Sequence, residues 1–409
     1  MQLMKVLFIF SGLPHYYNFV LNKLNSMPGI EITVIIPDNK SLNIGRGVHQ
    51  TTKGINFNYI QLTEYKTFYG KTFFKDFDKT LAKINPDILV TGWPYILGIF
   101  FNPFLLTKIK NKKIKIIYKD IPFRIQRFGD AFKFKNSSYI DENLNEYKTN
   151  TFRYLINIGN ALLRWFYLKI IDAHVNYIDM AYEIWGSYGV HKEKIFITYN
   201  SPDTDILKEA KEKASLITPF LPVNRERIIH VGRLTKWKKV HLLIAAIKIL
   251  KNKYNNIELV IIGTGPEEKN LKRQAKELNI SQRIIFAGPI YDPVILARYM
   301  LESSIYVLAG IGGLSINEAM CFGKPVICSI CDGTEKHLVF DDYNGKYFIE
   351  DNADDLSMKI DYILSNPALI KTMGENSLKI INEKININTV INGYLKAFHY
   401  VCYKNKDLY

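Results

Sequence analysis

Residues 305–329, IYVLAGIGGLSINEAMCFGKPVICS, constrain the fold more than any other stretch of the chain. Ile305 to Ala309 is an apolar run of the length of a buried strand. Gly310, Gly312 and Gly313 make a turn, and a helix follows with Ser315 near its start and Glu318 on its first turn. Pro325 then opens a second strand. A turn of this kind lets a ligand approach the backbone, and the helix N-terminus offers N–H groups to a phosphate. An ordinary crossover with a glycine loop has the same outline, so the surrounding residues decide.

Those residues repeat the pattern. In the first half, strands are expected at Val6–Phe10, Ile30–Ile36, Ile55–Leu62, Ile88–Thr91, Ile114–Lys119, Asp172–Ile178 and Ile195–Tyr199. Helices are expected at Tyr16–Leu24, Phe73–Ile84, Tyr95–Lys108 and Phe152–Ile171. In the second half, strands at Ile228–Val231, Leu259–Ile262, Ile284–Ala287, Ile305–Ala309 and Val326–Cys328 alternate with helices starting near Val240, Pro266, Pro293 and Ser315. After Asn200, Ser201, Pro202 and Asp203 a less regular segment runs to Asn224 and separates the halves. Three helices close the chain, the last at Asn388–Tyr400 with Asn388 as its N-cap. Short apolar strands divided by helices argue an α/β protein with two parallel sheets, each covered on both faces. Such tandem sheets bind ligands beyond the carboxyl ends of their strands, in the cleft the two domains face.

The chain is 409 residues long, which suits two domains with real cores. No run approaches the roughly 18 apolar residues of a spanning helix. Trp93–Leu106 comes nearest and is interrupted by Asn102 and Pro103. The apolar N-terminus leads into Gly12 and Pro14 with no small-residue cleavage site, so it reads as a first strand of a cytoplasmic protein. Four cysteines fit a reducing compartment, and the lone Cys328–Cys331 pair lacks the second pair a zinc site needs. The net charge of +15 is the unusual bulk property and suggests an anionic partner. Cations and aromatics interleave from Lys108 to Lys135, and Phe152–Ile171 continues the pattern with Arg153, Arg164 and Lys169. An anionic membrane surface suits this region, as does an ordinary helix with its apolar side packed inside. Nucleic acid is not expected, because no recognisable binding motif accompanies the charge.

Chemistry concentrates where the second sheet begins. The strand ending at Gly232 delivers Arg233 and Lys238 to a loop at the carboxyl end of the sheet. Arginine chelates oxygens bidentately and lysine acts as a point charge, a pairing suited to a diphosphate. Basic loops are common, so the signal rests on its coincidence with the glycine turn and Glu318.

At these residues the chain resembles a retaining glycosyltransferase of the GT-B fold, similar to glycosyltransferase family 4. The matching pieces are GRLTKWKKVHLLIAAI (Gly232–Ile247), LVIIGTGPEEKNLK (Leu259–Lys272), NEAMCFGKPVICS (Asn317–Ser329), DDYNGKYF (Asp341–Phe348) and YNSPDTD (Tyr199–Asp205). They fall in order over about residues 170–400, while the first 130 residues match in general pattern only. The resemblance implies two Rossmann-like domains facing a cleft: residues 1–205 on the acceptor side and 206–385 on the nucleotide-sugar side. It also implies that a C-terminal helix, residues 386–409, crosses back onto the first domain.

The resemblance further implies that Arg233 and Lys238 neutralise the donor's diphosphate as the sugar departs, with no metal required. Glu318 matches the second glutamate of the family's E-x7-E motif, which accepts hydrogen bonds from the ribose hydroxyls. Gly312, Gly313, Leu314 and Ser315 would turn backbone N–H groups to phosphate or sugar, and Gly263 and Gly310 belong to the same glycine-lined donor site. Gly12 resembles the family's glycine loop on the first domain. Three positions depart from the family. The first motif glutamate is replaced by Gly310, the glycine that follows the donor lysine by Lys239, and the loop histidine by Tyr118-Lys119-Asp120. Asp120 either replaces that histidine or caps a turn. Glu335 and His337 lie near the family's glutamate in the following loop.

The expected activity is transfer of a sugar, with retention, from a UDP- or GDP-linked donor to a glycan or lipid-linked acceptor in cell-surface polysaccharide or glycolipid synthesis. The alternatives are a non-catalytic nucleotide-sugar-binding subunit and a nucleotide-sugar epimerase on the same fold. The expected location is the cytoplasm, with contact to the inner face of the membrane left open.

Overall fold

The computed structural model describes residues 3–38, 43–44, 48–120, 125–133, 138–140, 146–148, 151–330 and 334–403. The chain divides into two units. Met1–Ser137, Lys148–Tyr199 and Asn388–Tyr409 form the first, and Ser138–Tyr147 with Asn200–Ile387 the second.

The first unit carries β1 (Met4–Ile9), β2 (Ile30–Pro37), β3 (Asn58–Leu62), β4 (Ile88–Thr91), β5 (Lys115–Lys119), β6 (Ala173–Asn176) and β7 (Ile195–Ile197). They form one sheet in the order β7-β6-β5-β4-β1-β2-β3. Every described pairing in it is parallel. Burial on both faces explains the unbroken apolar runs: all four residues of β4 are buried, as are Leu7, Phe8 and Ile9 of β1. Leu7, Leu89 and Tyr118 from the strands meet Phe77, Leu81, Ile96 and Trp185 from the helices in one core.

The second unit holds β8 (Arg227–Val231), β9 (Glu258–Ile262), β10 (Ile284–Gly288), β11 (Ile305–Leu308), β12 (Val326–Ser329) and β13 (Gly345–Phe348). Their order is β10-β9-β8-β11-β12-β13, again parallel throughout. Chain order runs outward from β8 in one direction and restarts at β11 in the other. The crevice for a ligand therefore lies at the carboxyl ends of β8 and β11, where the order reverses. In the first sheet the corresponding reversal falls between β1 and β4.

Four expectations about elements need correction. Phe73 does not open a helix: Thr72–Phe74 pairs antiparallel with Glu64–Lys66, and the helix is Phe77–Ile84, entered through Asp76 at φ +52°. Both phenylalanines are buried, so local apolar density did not distinguish strand from helix. The Tyr95–Lys108 helix is two, Tyr95–Phe100 and Pro103–Asn111, because Asn102 caps the second by accepting from the Leu105 N–H and Pro103 starts it. The irregular segment after Asp203 contains a helix, Thr204–Ser215, whose N-cap Asp203 accepts from the N–H groups of Asp205 and Ile206. The last helix runs Ile387–Tyr403, so Asn388 sits in its first turn and is not its N-cap.

That last helix packs within the first unit from Asn388 onward. Tyr394 hydrogen-bonds Tyr17, and Phe8 lies 6.1 Å from the Tyr394 ring. A Cβ on Gly393 would stand 2.8 Å from the Thr198 Cα, which measures how closely helix and sheet approach. Of the basic and aromatic stretch, Phe123, Arg124, Phe134 and Lys135 lie outside the described residues, as does Cys331.

Candidate active site

The second sheet builds a site at its reversal point from three loops. After β8, Gly232 and Leu234 continue the ladder, their N–H groups donating to the carbonyls of Ile262 and Thr264 at 2.9 and 3.0 Å. After β9, Gly263 and Gly265 allow this approach: an added Cβ would stand 1.9 Å from the Gly232 oxygen and 2.3 Å from the Leu234 oxygen, respectively. Gly263 thus shapes the loop that presents Arg233. A short helical turn, Lys236–Lys238, then carries Trp237 and Lys238 toward β11.

After β11 the glycine turn meets that helical turn. The Ile311 N–H donates to the Trp237 carbonyl at 3.0 Å. A Cβ on Gly310 would lie 1.9 Å from the same carbonyl oxygen and 2.8 Å from the Lys238 Cα. A glutamate is therefore incompatible with this backbone, and the missing side chain at 310 is a packing requirement of the Lys236–Lys238 turn. At Gly312 the nearest atom to an added Cβ is the Lys238 ammonium nitrogen, 2.5 Å away. The cation expected at the glycine turn is at the glycine turn. Arg233 lies on the same loop, with its guanidinium 5.9 Å from the Trp237 ring centre.

The helix Leu314–Cys321 starts from Gly313, whose carbonyl accepts from the Ile316 N–H at 2.9 Å. Its first N–H groups precede any intrahelical acceptor and face the turn. Ser315 is held from β11: the Tyr306 hydroxyl, fully buried, lies 2.7 Å from the Ser315 Oγ and 3.4 Å from the Val231 carbonyl. One tyrosine thereby ties the ends of β8 and β11 to the helix start. Glu318 follows one turn later, half-buried, its carboxyl pushed up to about 7 by burial while Lys238 pulls the other way.

His230 is the residue that sequence reasoning missed. It is fully buried on β8, and its Nδ1 lies 3.0 Å from the Val307 carbonyl on β11. That contact spans the two strands at their reversal and assigns the proton to Nδ1. Nε2 has no hydrogen-bond partner among the described residues, and a Cβ on Gly232 would sit 3.4 Å from it. Burial lowers its pKa to about 4, with Lys238 adding to the effect, so the ring is neutral at physiological pH. A histidine inside an otherwise aliphatic strand, two residues before the donor loop, was the available signal.

Lys239 stands where the resemblance has glycine, and its backbone shows why: φ is +51°, the left-handed region. The side chain is anchored by Glu350 at 2.6 Å and Asp351 at 2.8 Å. Glu335 is buried in a short turn where its carbonyl accepts from the Leu338 and Val339 N–H groups.

The expected residues of the first unit lie at the carboxyl end of its own sheet. Gly12 follows β1 at the reversal point, in a loop stapled to Gln50 through the Leu13 N–H at 3.0 Å. Asp120 follows β5 and accepts from the Tyr118 hydroxyl, which in turn meets Tyr167 at 3.0 Å. Residues 121–124 lie outside the described set, so the turn that Asp120 was expected to cap does too. Lys119 extends its ammonium over the Tyr17 ring at 5.0 Å, and burial lowers its pKa to about 8.

Comparison with known proteins agrees with this architecture. Residues 216–380 match the family described as glycosyl transferases group 1. An uncharacterized glycosyltransferase of Methanocaldococcus jannaschii, MJ1069, is 28% identical over 78% of this chain and 76% of its own length. The N-acetylgalactosamine-N,N'-diacetylbacillosaminyl-diphospho-undecaprenol 4-alpha-N-acetylgalactosaminyltransferase of Campylobacter jejuni is 26% identical over 56% of this chain and 61% of its own. Among solved structures, Anabaena Alr3699/HepE in complex with UDP superposes with a TM-score of 0.63 at 14% identity, covering 96% of this chain and 99% of that one. Residues 216–380 are thus similar to the glycosyl transferases group 1, and the two parallel sheets are those of the GT-B fold.

Proposed function

We propose that this glycosyltransferase takes its sugar from a nucleoside-diphosphate donor, UDP- or GDP-linked, and transfers it with retention to a glycan or lipid-linked acceptor. The observation that carries the donor reading is the Lys238 ammonium seated against Gly312, at the reversal point of the second sheet. In this reading the diphosphate lies over the Gly312–Ser315 turn, with Lys238 and Arg233 beside it. As the bond between the anomeric carbon and the diphosphate breaks, negative charge accumulates on the leaving oxygens. Two cations fixed by the surrounding fold stabilise that charge and reorganise little as it grows. No metal is needed for this stabilisation.

Glu318, one helical turn from the phosphate end, accepts hydrogen bonds from the ribose hydroxyls. Its carboxyl is ionised when it does so, which couples donor affinity to pH. The resemblance puts the first motif glutamate on the transferred sugar; Gly310 stands there here, so in this reading the sugar's identity is set by other groups. HepE was crystallised with UDP, and the Campylobacter relative is named for an undecaprenol-linked acceptor, which supports a nucleotide donor and a lipid-linked acceptor for this chain.

Calorimetric titration with UDP and GDP tests the donor reading. One of them should bind, and Arg233→Ala should weaken it; silence from every nucleoside diphosphate ends the proposal. Retention is tested by the anomeric configuration of the product, read by NMR with a panel of nucleotide sugars. Gly310 also favours a second reading, in which the chain binds the donor without turning it over. That reading predicts full nucleotide affinity and no transfer to any acceptor in the panel.

A further inference from the structure

His230, on β8 of the second unit, uses only one of its two ring nitrogens in the fold. Its Nδ1 donates to the Val307 carbonyl at 3.0 Å and so ties β8 to β11. A tie between strands needs a single donor, which an asparagine also supplies. Histidine brings a second nitrogen, Nε2, into a fully buried position where it has no hydrogen-bond partner among the described residues. An unpaired buried polar atom is unfavourable and uncommon in folded proteins, so its presence calls for a physical reason.

The surroundings of Nε2 supply one. The point where a Cβ on Gly232 would stand lies 3.4 Å from Nε2 and 3.6 Å from the Lys238 Cε. The ring's Cε1 is farther, at 3.9 Å, so the nitrogen side of the ring is turned to this point. Beyond it, a Cβ on Gly312 would meet the Lys238 ammonium nitrogen at 2.5 Å. The end of the Lys238 side chain therefore runs past two glycines, with Nε2 beside the first and the glycine turn beside the second. Donation from Nδ1 leaves Nε2 as a lone-pair acceptor, the form that attracts an ammonium group. Burial keeps the ring neutral, and the Lys238 charge is close enough to lower its pKa further. A lysine ammonium sits on a long, flexible stem, whereas a charge that stabilises a leaving group acts best when fixed beforehand.

We propose that His230 positions Lys238, the Nε2 lone pair drawing the ammonium group and confining it beside the glycine turn. His230 is a positioning residue: it acts on the donor through the lysine and touches neither phosphate nor sugar. A tie between strands accounts for Nδ1 and leaves Nε2 without a role; the coupling to Lys238 accounts for both nitrogens. Its effect on transfer rests on the donor reading, while the coupling itself rests on the fold of the second unit.

Paired substitutions in the full chain separate the two nitrogens. His230→Asn keeps a donor where Nδ1 stands and removes Nε2; His230→Gln carries its amide toward the Nε2 position and gives up the bond to Val307. His230→Asn should lower the transfer rate about tenfold, the size of one hydrogen bond to a charged group. Its nucleotide affinity should fall less than its rate, and its melting temperature should match the parent's. His230→Gln should melt lower and still recover part of the lost rate. In a Lys238→Ala background His230→Asn should have no further effect, because the group it positions is gone. A His230→Asn variant that transfers at the parental rate overturns the proposal, as does a full loss on top of Lys238→Ala. The NMR shift of the His230 Nε2 nitrogen, recorded without donor, gives a readout independent of transfer. It should be that of an acceptor nitrogen and should move on Lys238→Met; an unmoved shift overturns the proposal. If the parent transfers no sugar from any donor, the donor reading fails, and this shift still decides whether His230 is coupled to Lys238.

Discussion

The carboxyl ends of the two sheets share a topology and differ in what fills them. In the second unit the loops after β8, β9 and β11 approach backbone to backbone, and added Cβ atoms at Gly263 and Gly310 would both stand 1.9 Å from a carbonyl oxygen. In the first unit the corresponding edge holds side chains: Tyr17, Tyr118, Tyr167 and Tyr394 are buried there around Lys119 and Asp120. A diphosphate is the same in every donor, and fixed backbone with two cations suffices to hold it. An acceptor varies from one enzyme to the next, and side chains are the part of a fold that varies at low cost. On the proposed reading, donor affinity belongs to the second unit and acceptor chemistry to the first.

The largest effect expected tests the second unit. Lys238→Ala should lower the transfer rate by about 10²- to 10³-fold, the size found when one group stabilising transition-state charge is removed. Its effect on UDP affinity should be smaller, because the leaving group is more negative in the transition state than in the bound donor. Equal losses in the rate and in UDP affinity, by steady-state kinetics beside calorimetry, would show that Lys238 merely holds the donor.

A change in the first unit should separate the two roles. Tyr118→Phe removes the hydroxyl that donates to Asp120 while keeping the buried ring. Loss of one hydrogen bond to a carboxylate costs roughly 1.5 kcal/mol, which is about tenfold in rate. Transfer should fall by that amount with UDP affinity unchanged. A parallel loss of UDP affinity would refute the division of labour.

The pH dependence of donor binding gives an effect of similar size with a defined sign. The Glu318 carboxyl, raised to about 7 in the free protein by burial, is mostly protonated at pH 6 and mostly ionised at pH 8. Ribose hydroxyls favour the ionised form, so affinity should rise with pH by about tenfold over that interval and level off above it. Protons should be released on binding, seen as heats that differ between buffers of different ionisation enthalpy. Glu318→Gln should flatten the profile. His230 cannot produce it, because burial keeps that ring neutral with a pKa of about 4.

The glycine-turn half of the candidate site was legible in the sequence because its geometry is local. A strand, a glycine turn and a helix carrying Ser315 and Glu318 follow one another within a few turns of chain. The cations were legible as residue types, and only the fold shows Lys238 reaching Gly312. Gly310 was legible as a missing glutamate but not as a packing position, because its constraint is the Trp237 carbonyl, far away in sequence. His230 went unread for a related reason: its role depends on Val307, which lies on the neighbouring strand. The helix Thr204–Ser215 escaped because Leu207, Ala210 and Ala214 are its main buried apolar contacts among charged residues. The tyrosine network of the first unit joins residues 17 and 394, or 118 and 167, and no local motif announces such pairs.

Lys239 sharpens the comparison at its smallest scale, because it is the one place where the donor loop uses a side chain where the resemblance has glycine. At φ +51° a non-glycine residue is disfavoured by about 1–2 kcal/mol. Opposing this, its side chain, 10% exposed, pairs through the ammonium with Glu350 and Asp351, whose side chains are 46 and 65% exposed. Pairs open to solvent contribute about 1 kcal/mol or less. Lys239→Gly removes the strain and the pairs together and should leave the denaturation midpoint close to that of the parent. Lys239→Ala removes the pairs, keeps the strain, and should lower stability by about 1 kcal/mol. If glycine proves as destabilising as alanine, the left-handed backbone is not the constraint at this position. The two ion pairs would then be what fixes the loop between Lys238 and the following helix, and the donor site would depend on side chains after all.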